Sequence, residues 1–132
     1  MSIIQRLTPQ EAFKAMSANR DALLIDVRDP VEFVFVGHPT HAKNIPWAFA
    51  PEMRANPSFV EQVQDTVPSL DTPLFLLCRS GQRSFSAAMA LEAQGYRQLI
   101  NVEEGFEGGL NELKQRSTLT GWRFHGLPWE QG

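Results

Sequence analysis

The sequence predicts an α/β fold in which a parallel sheet is covered by helices on both faces. Two observations carry this. Residues 22–27 and 74–77 are short, apolar runs with the length and evenness of strands buried on both sides, and residues 98–102 form a further strand. Between these runs lie segments with helix caps and helical spacing, and strands that alternate with helices build parallel sheets. No internal repeat or low-complexity stretch interrupts the pattern.

Taken in order, Thr8-Pro9-Gln10-Glu11 reads as a capping box, with Thr8 at N-cap, Pro9 at N1 and Glu11 at N3. The helix it opens runs to about Ser17 and turns Ala12, Phe13 and Met16 inward. Residues 22–27 follow as a buried strand. Asp29-Pro30-Val31-Glu32 repeats the cap pattern and begins a short helical turn. Residues 37–46 are loop, with a short strand at Asn44-Ile45. Asn56-Pro57 starts a helix through Phe59, Val60 and Val63 that ends before Pro68. After the strand at 74–77, a helix from Phe85 to Gln94 stops at Gly95, a residue suited to the left-handed helix end. Residues 103–109 are a glycine-rich turn. From Lys114 the chain is polar, then aromatic (Trp122, Phe124, Trp129), and reads as an extension laid on the domain.

The 132 residues are one domain in size, enough to bury a core without metal or disulfide. The formal charge of -3 gives no basic face for nucleic acid. No run of 18 or more apolar residues spans a membrane, and the first residues lack the basic and apolar regions of a signal peptide. One cysteine excludes an internal disulfide and a multi-cysteine zinc site, and a lone thiol fits a reducing, cytoplasmic setting. His38, His41 and His125 match no zinc spacing, and His38 is expected to hydrogen-bond backbone. No organic cofactor or metal is implied.

That cysteine, Cys78, opens Cys78-Arg79-Ser80-Gly81-Gln82-Arg83-Ser84. A single cysteine in a small α/β domain is commonly a buried hydrophobe. Cys78 instead stands where the apolar strand stops and a polar loop begins, and ligands of open parallel sheets bind beyond the carboxyl ends of strands. Gly81 is free to take a positive φ, so successive N–H groups can curl into an anion nest at the next helix N-terminus. With Arg79 and Arg83 nearby, such a setting lowers a cysteine pKa from ~8.5 to roughly 3.5–7.5 and makes a nucleophile.

The heptapeptide resembles the active-site loop of the rhodanese-like sulfurtransferases. Other segments resemble the family in order: residues 25–33 (Asp26-Val27-Arg28, then Glu32-Phe33), Gly37-His38 with Ala42 and Asn44-Ile45-Pro46, and Asn101-Val102 with Glu104-Gly105-Phe106 and Gly108-Gly109. The likeness runs from about Thr8 to Leu110, so the expected organisation is one domain over 1–132, with a core of about 8–110 and an extension of 111–132. The resemblance implies a three-layer α/β/α fold with a five-stranded parallel sheet of order 3-2-4-5-1. It also implies that Cys78 takes sulfane sulfur from a donor such as thiosulfate, holds it as a persulfide, and passes it to cyanide or a thiol. The loop residues Arg79, Ser80, Gly81, Gln82, Arg83 and Ser84 are expected to bind the anion.

Cysteine phosphatases of the same fold and related arsenate reductases use Cys-x5-Arg to cradle a tetrahedral anion. Here the spacing is Cys78-x4-Arg83, which suits a single sulfur atom. A second rival is a carrier that hands persulfide sulfur to a docked protein. Val34-Phe35-Val36, apolar where the family is often acidic, reads equally as core or as a patch that docks a partner or a second copy of the chain. His41 replaces the family glycine, so a reshaped site rim and an altered acceptor are expected. Asp26 and Arg28 are expected to be structural, with Arg28 paired to Glu32 or another carboxylate. The tail tryptophans are expected to strap the domain.

Overall fold

The computed structural model of the protein describes residues 4–132. In chain order the elements are β1 (Gln5–Leu7), α1 (Pro9–Ser17), β2 (Leu23–Asp26), a π-helical turn (Glu32–Val36), β3 (His38–Pro39), β4 (Lys43–Asn44), β5 (Ala48–Phe49), β6 (Arg54–Ala55), α2 (Phe59–Thr66), β7 (Leu74–Leu77), α3 (Gln82–Ala93), β8 (Leu99–Val102) and β9 (Trp129–Glu130). Five strands form one parallel sheet in the order β1-β8-β7-β2-β4. Counting only these five along the chain, that is 3-2-4-5-1 read from the other edge, the predicted order.

β1 is the strand that residue pattern alone does not place. It is three residues of Gln-Arg-Leu at the sheet edge, largely exposed, and carries no apolar run to read. The hairpin β5–β6 and the pairing of β3 with β9 are likewise two-residue contacts without a periodic signature. The long elements are legible. Thr8 accepts from the Glu11 N–H while Glu11 accepts from the Thr8 N–H, so the capping box is closed on both sides.

Side chains alternate across β7. Leu74, Leu76 and Cys78 face a core built with Phe59 and Val63 of α2 and Ala87, Ala88 and Leu91 of α3. Phe75 and Leu77 face the opposite core, with Ala12 of α1, Phe106 and Trp122. This two-residue period, buried on both sides, makes the strand read as an unbroken apolar run. α2 and α3 cover one face; α1 and residues of the C-terminal segment cover the other.

Trp122 is buried and meets Phe13 of α1 edge-on at 5.7 Å between ring centroids. Its indole N–H donates to the Pro128 carbonyl at 2.9 Å. Trp122→Ala is expected to cost about 3–5 kcal/mol, seen as a lower urea midpoint with an unchanged slope.

Candidate active site

Cys78 is the first residue past the carboxyl end of β7, and at 1% exposure it forms the floor of the loop that follows. Its Sγ accepts from the Gly81 N–H at 3.1 Å and lies 3.3 Å from the Ser84 hydroxyl. Gly81 is the N-cap of α3 with φ of 111°, a left-handed conformation that a side chain resists. That conformation bends the chain back so that its N–H meets the sulfur three residues earlier.

The loop is clamped from behind by the glycine-rich turn. The Cys78 carbonyl accepts from the Phe106 N–H at 2.8 Å, and the Arg79 carbonyl accepts from the Glu107 and Gly108 N–H groups at 3.0 and 3.1 Å. Gly105 makes this approach possible. A Cβ there would stand 2.5 Å from the Cys78 and Arg79 carbonyl oxygens. Thus the glycine turn, read from sequence as a chain reversal, is the loop's rear wall.

Asn101, at the end of β8, supplies the loop's buried polar support. Its Oδ1 lies 2.5 Å from Ser84 Oγ, and its Nδ2 donates to the Gly81 carbonyl at 3.2 Å and to the Glu103 carboxylate. Ser84 has a single proton and three acceptors within reach: Asn101 Oδ1, Cys78 Sγ and the Gly81 carbonyl. Negative charge on the sulfur draws it to Sγ. Asn101 was legible only as a strand residue; a polar residue in an otherwise apolar buried strand was its signal.

Arg83 does not point its charge freely at the sulfur. Its guanidinium forms a two-pronged pair with Glu32, at 2.9 and 3.1 Å. Burial pushes the Glu32 carboxyl up, but the Arg83 hydrogen bonds and charge outweigh it and hold the group below its ordinary 4.5. Burial likewise pushes Arg83 down, and the Glu32 bonds and charge more than offset it. Arg79, Ser80 and Gln82 are exposed, and among the described residues no side-chain hydrogen bond or ion pair engages Arg79. The structure therefore gathers Cys78, Gly81 and Ser84 around the sulfur, turns Arg83 to a carboxylate, and leaves the other three at the surface.

The structure decides between the readings left open for Arg28 and for residues 34–36, and corrects the one for His41. Arg28 pairs with Asp26, not Glu32: Nε and Nη2 donate to the two carboxylate oxygens at 2.9 and 2.6 Å, and Nη2 also reaches the Gly37 carbonyl at 2.6 Å. Both residues are fully buried, and Glu32 is already committed to Arg83. His41 does not reshape the site rim. It takes φ of 70° itself, the conformation expected to need glycine, and lies beside Ala22 and Leu23 in an apolar cleft of about 440 Å³. β4 runs parallel to β2, so His41 stands at the end of the sheet opposite Cys78. Val34-Phe35-Val36 is neither wholly core nor wholly patch. Val36 packs on the core, while Val34 and Phe35 are exposed. His38 donates from Nδ1 to the Phe33 carbonyl at 2.8 Å and stacks on the Phe33 ring.

An open parallel α/β sheet with one cysteine at a strand end, its sulfur met by an N–H from a helix N-terminus and by a hydroxyl, defines the class of cysteine-loop α/β domains. Residues 9–112 match the family model described as the Rhodanese-like domain, and the chain belongs to that family. It is 33% identical over 129 residues to an uncharacterised protein of Rickettsia prowazekii, covering 97% of this chain and 98% of that one. It is 31% identical over 107 residues to the thiosulfate sulfurtransferase GlpE of Pseudomonas putida, covering 81% and 86%. The crystal structure of Rv0390 from M. tuberculosis superposes with a TM-score of 0.88 at 37% identity, covering 97% and 98%. The polysulfide-sulfur transferase homodimer of Wolinella succinogenes shares the fold, with a TM-score of 0.68 at 21% identity, covering 98% of this chain and 80% of that one. These relatives put the chain among sulfurtransferase-family proteins. Among the described residues, no helix is long and apolar enough to cross a membrane.

The Glu32–Arg83 pair carries a pH signature. A carboxyl whose folded pKa is lowered contributes stability that is complete above its unfolded value and lost as pH falls through the folded one. Wild type is therefore expected to be more stable than Glu32→Gln at pH 7, with the gap closing below pH ~4.5. Urea midpoints of both proteins between pH 3 and 7 check this; a gap that stays constant removes the pair as its source.

Proposed function

We propose that the protein is a sulfurtransferase that carries sulfane sulfur as a Cys78 persulfide. The observation that supports this most is the pair of donors on Sγ, the Gly81 N–H and the Ser84 hydroxyl. The Cys78 thiolate attacks the outer sulfur of thiosulfate, the S–S bond breaks, and sulfite leaves with the bonding pair. The persulfide anion left on Cys78 keeps the negative charge in the reach of those donors. Cyanide then attacks the outer sulfur, thiocyanate departs, and the thiolate is regenerated. A thiol acceptor takes the sulfur in the same way.

The floor position of Cys78 favours sulfur over phosphate chemistry. A buried thiol in a short loop admits an atom presented end-on. A cysteine phosphatase needs its loop arginine on the phosphate oxygens, and here both prongs of Arg83 are on Glu32. A lone thiol that must return to its reduced form fits a reducing compartment such as the cytoplasm.

Intact-protein mass spectrometry after thiosulfate, then after cyanide, tests the cycle. Wild type is expected to gain one sulfur mass and to lose it to cyanide, while Cys78→Ser gains none and keeps its fold. Sulfur uptake by Cys78→Ser, or none by wild type from any sulfane donor, sinks the reading. Ser84→Ala is expected to slow uptake about 100- to 1,000-fold, the scale of a lost oxyanion donor, read by rapid-quench mass spectrometry.

A further inference from the structure

The proposed sulfur transfer leaves open which donor the loop prefers, and the charges around Cys78 bear on that choice. The sequence places the charges of Arg79 and Arg83 near the sulfur. In the structure Arg83 spends both prongs on Glu32, which also accepts from the Asp29 N–H at 3.2 Å. That second bond holds the carboxylate in place from its own backbone turn. Arg79 is the one loop cation with no side-chain partner among the described residues. The charges of Arg79, Arg83, Glu32 and a Cys78 thiolate together cancel. Behind the loop stand more carboxylates: Glu103, bonded to Asn101 and paired with Arg6 at 3.2 Å, and Glu104, whose backbone N lies 3.7 Å from where a Gly81 Cβ would be. The turn that carries Glu32 also presents apolar surface, with Val31 61% and Phe35 73% exposed.

We propose, resting on the sulfurtransferase reading, that Glu32 is a specificity-determining residue: by neutralising Arg83 it directs the Cys78 loop toward organic persulfides and away from the thiosulfate dianion. Thiosulfate brings two negative charges up to the thiolate and releases sulfite beside the new persulfide, and a loop without net positive charge attracts it weakly. An organic persulfide, R–S–SH, brings at most one charge at its reacting end. The Cys78 thiolate attacks its outer sulfur, the S–S bond breaks, and R–S⁻ leaves with the pair and takes a proton from water. The proton on the outer sulfur stays with it or is lost to solvent.

The test compares two donors, thiosulfate and the persulfide of 2-mercaptoethanol, on wild type, Glu32→Gln and Arg83→Gln. The readout is kcat/KM for each donor at low and high salt. Wild type is expected to favour the persulfide. Glu32→Gln frees the Arg83 charge and is expected to shift the donor ratio toward thiosulfate by about tenfold, with a steeper loss on adding salt. Arg83→Gln leaves the Glu32 carboxylate uncompensated and is expected to shift the ratio the other way. Both variants break the same ion pair, so opposite shifts cannot come from lost stability, and melting temperatures taken alongside show how much each loses. Equal changes for both donors, or shifts in the same direction, overturn the specificity role while leaving the sulfur transfer intact. Failure of wild type to take sulfur from either donor overturns both.

Discussion

The site depends on one constraint: the carbonyls of Cys78 and Arg79 are tied to the backbone of residues 106–108. The polar loop between β7 and α3, residues 78–81, has many conformations open to it, and ordering each residue costs on the order of 1–2 kcal/mol. Three amide hydrogen bonds from one turn fix the first two residues outward. Gly81 at φ of 111° then turns the chain back over the sulfur. The donors on Sγ are thus a consequence of where the carbonyls were sent. Gly105 is part of the same device, since only a residue without Cβ lets the two backbones come so close.

Two ion pairs near the loop behave differently because of burial. Asp26 and Arg28 are wholly removed from water, and a buried pair must meet its desolvation cost with hydrogen bonds. Asp26 accepts from the Arg28 backbone N–H as well as from the guanidinium, which also bonds Gly37 and lies 4.7 Å over the Phe106 ring. The pair therefore ties the end of β2, the loop after the π-helical turn and the glycine turn into one unit. Glu32 and Arg83 keep some contact with water. They fix the charge of the loop more than they join elements, which is why Glu32 has chemical consequences and Asp26 structural ones.

Much of this was legible in the sequence, for physical reasons that differ by element. β2 and β7 are buried on both faces, so apolar character is unbroken and the strand is plain. α1 announces itself through Thr8, Pro9 and Glu11, because capping chemistry is local. β1 was not placed by pattern because an edge strand of three residues, two of them polar, has no periodicity to show. The partners of Arg28, Arg83 and Ser84 were hidden for a different reason. Arg83 and Ser84 bond residues 51 and 17 positions away, and even for Arg28, whose partner Asp26 is two positions off, residue type alone does not say which carboxylate an arginine takes. Asp29 and Glu32 show the limit within one motif. Their cap spacing predicted the turn, and both do bond within it. The same Glu32 carboxylate nonetheless has its second role across the fold.

The C-terminal segment reaches the sulfur through two steps of backbone. The Trp122 and Arg123 N–H groups donate to the carbonyls of Gly105 and Phe106, and the Gly121 N–H donates to the Glu104 carboxylate, which His125 also contacts at 2.9 Å. Residues 105 and 106 in turn abut the Cys78 carbonyl. The family match stops at residue 112, so part of what holds the loop's rear wall lies outside the segment that marks the family. Burying Trp122 beneath α1 anchors the segment, and that anchor positions the amides that fix the turn. Core packing on one face of the sheet and geometry at the sulfur are joined by this chain of hydrogen bonds, so a change in the tail acts on the site through the turn and not by touching it.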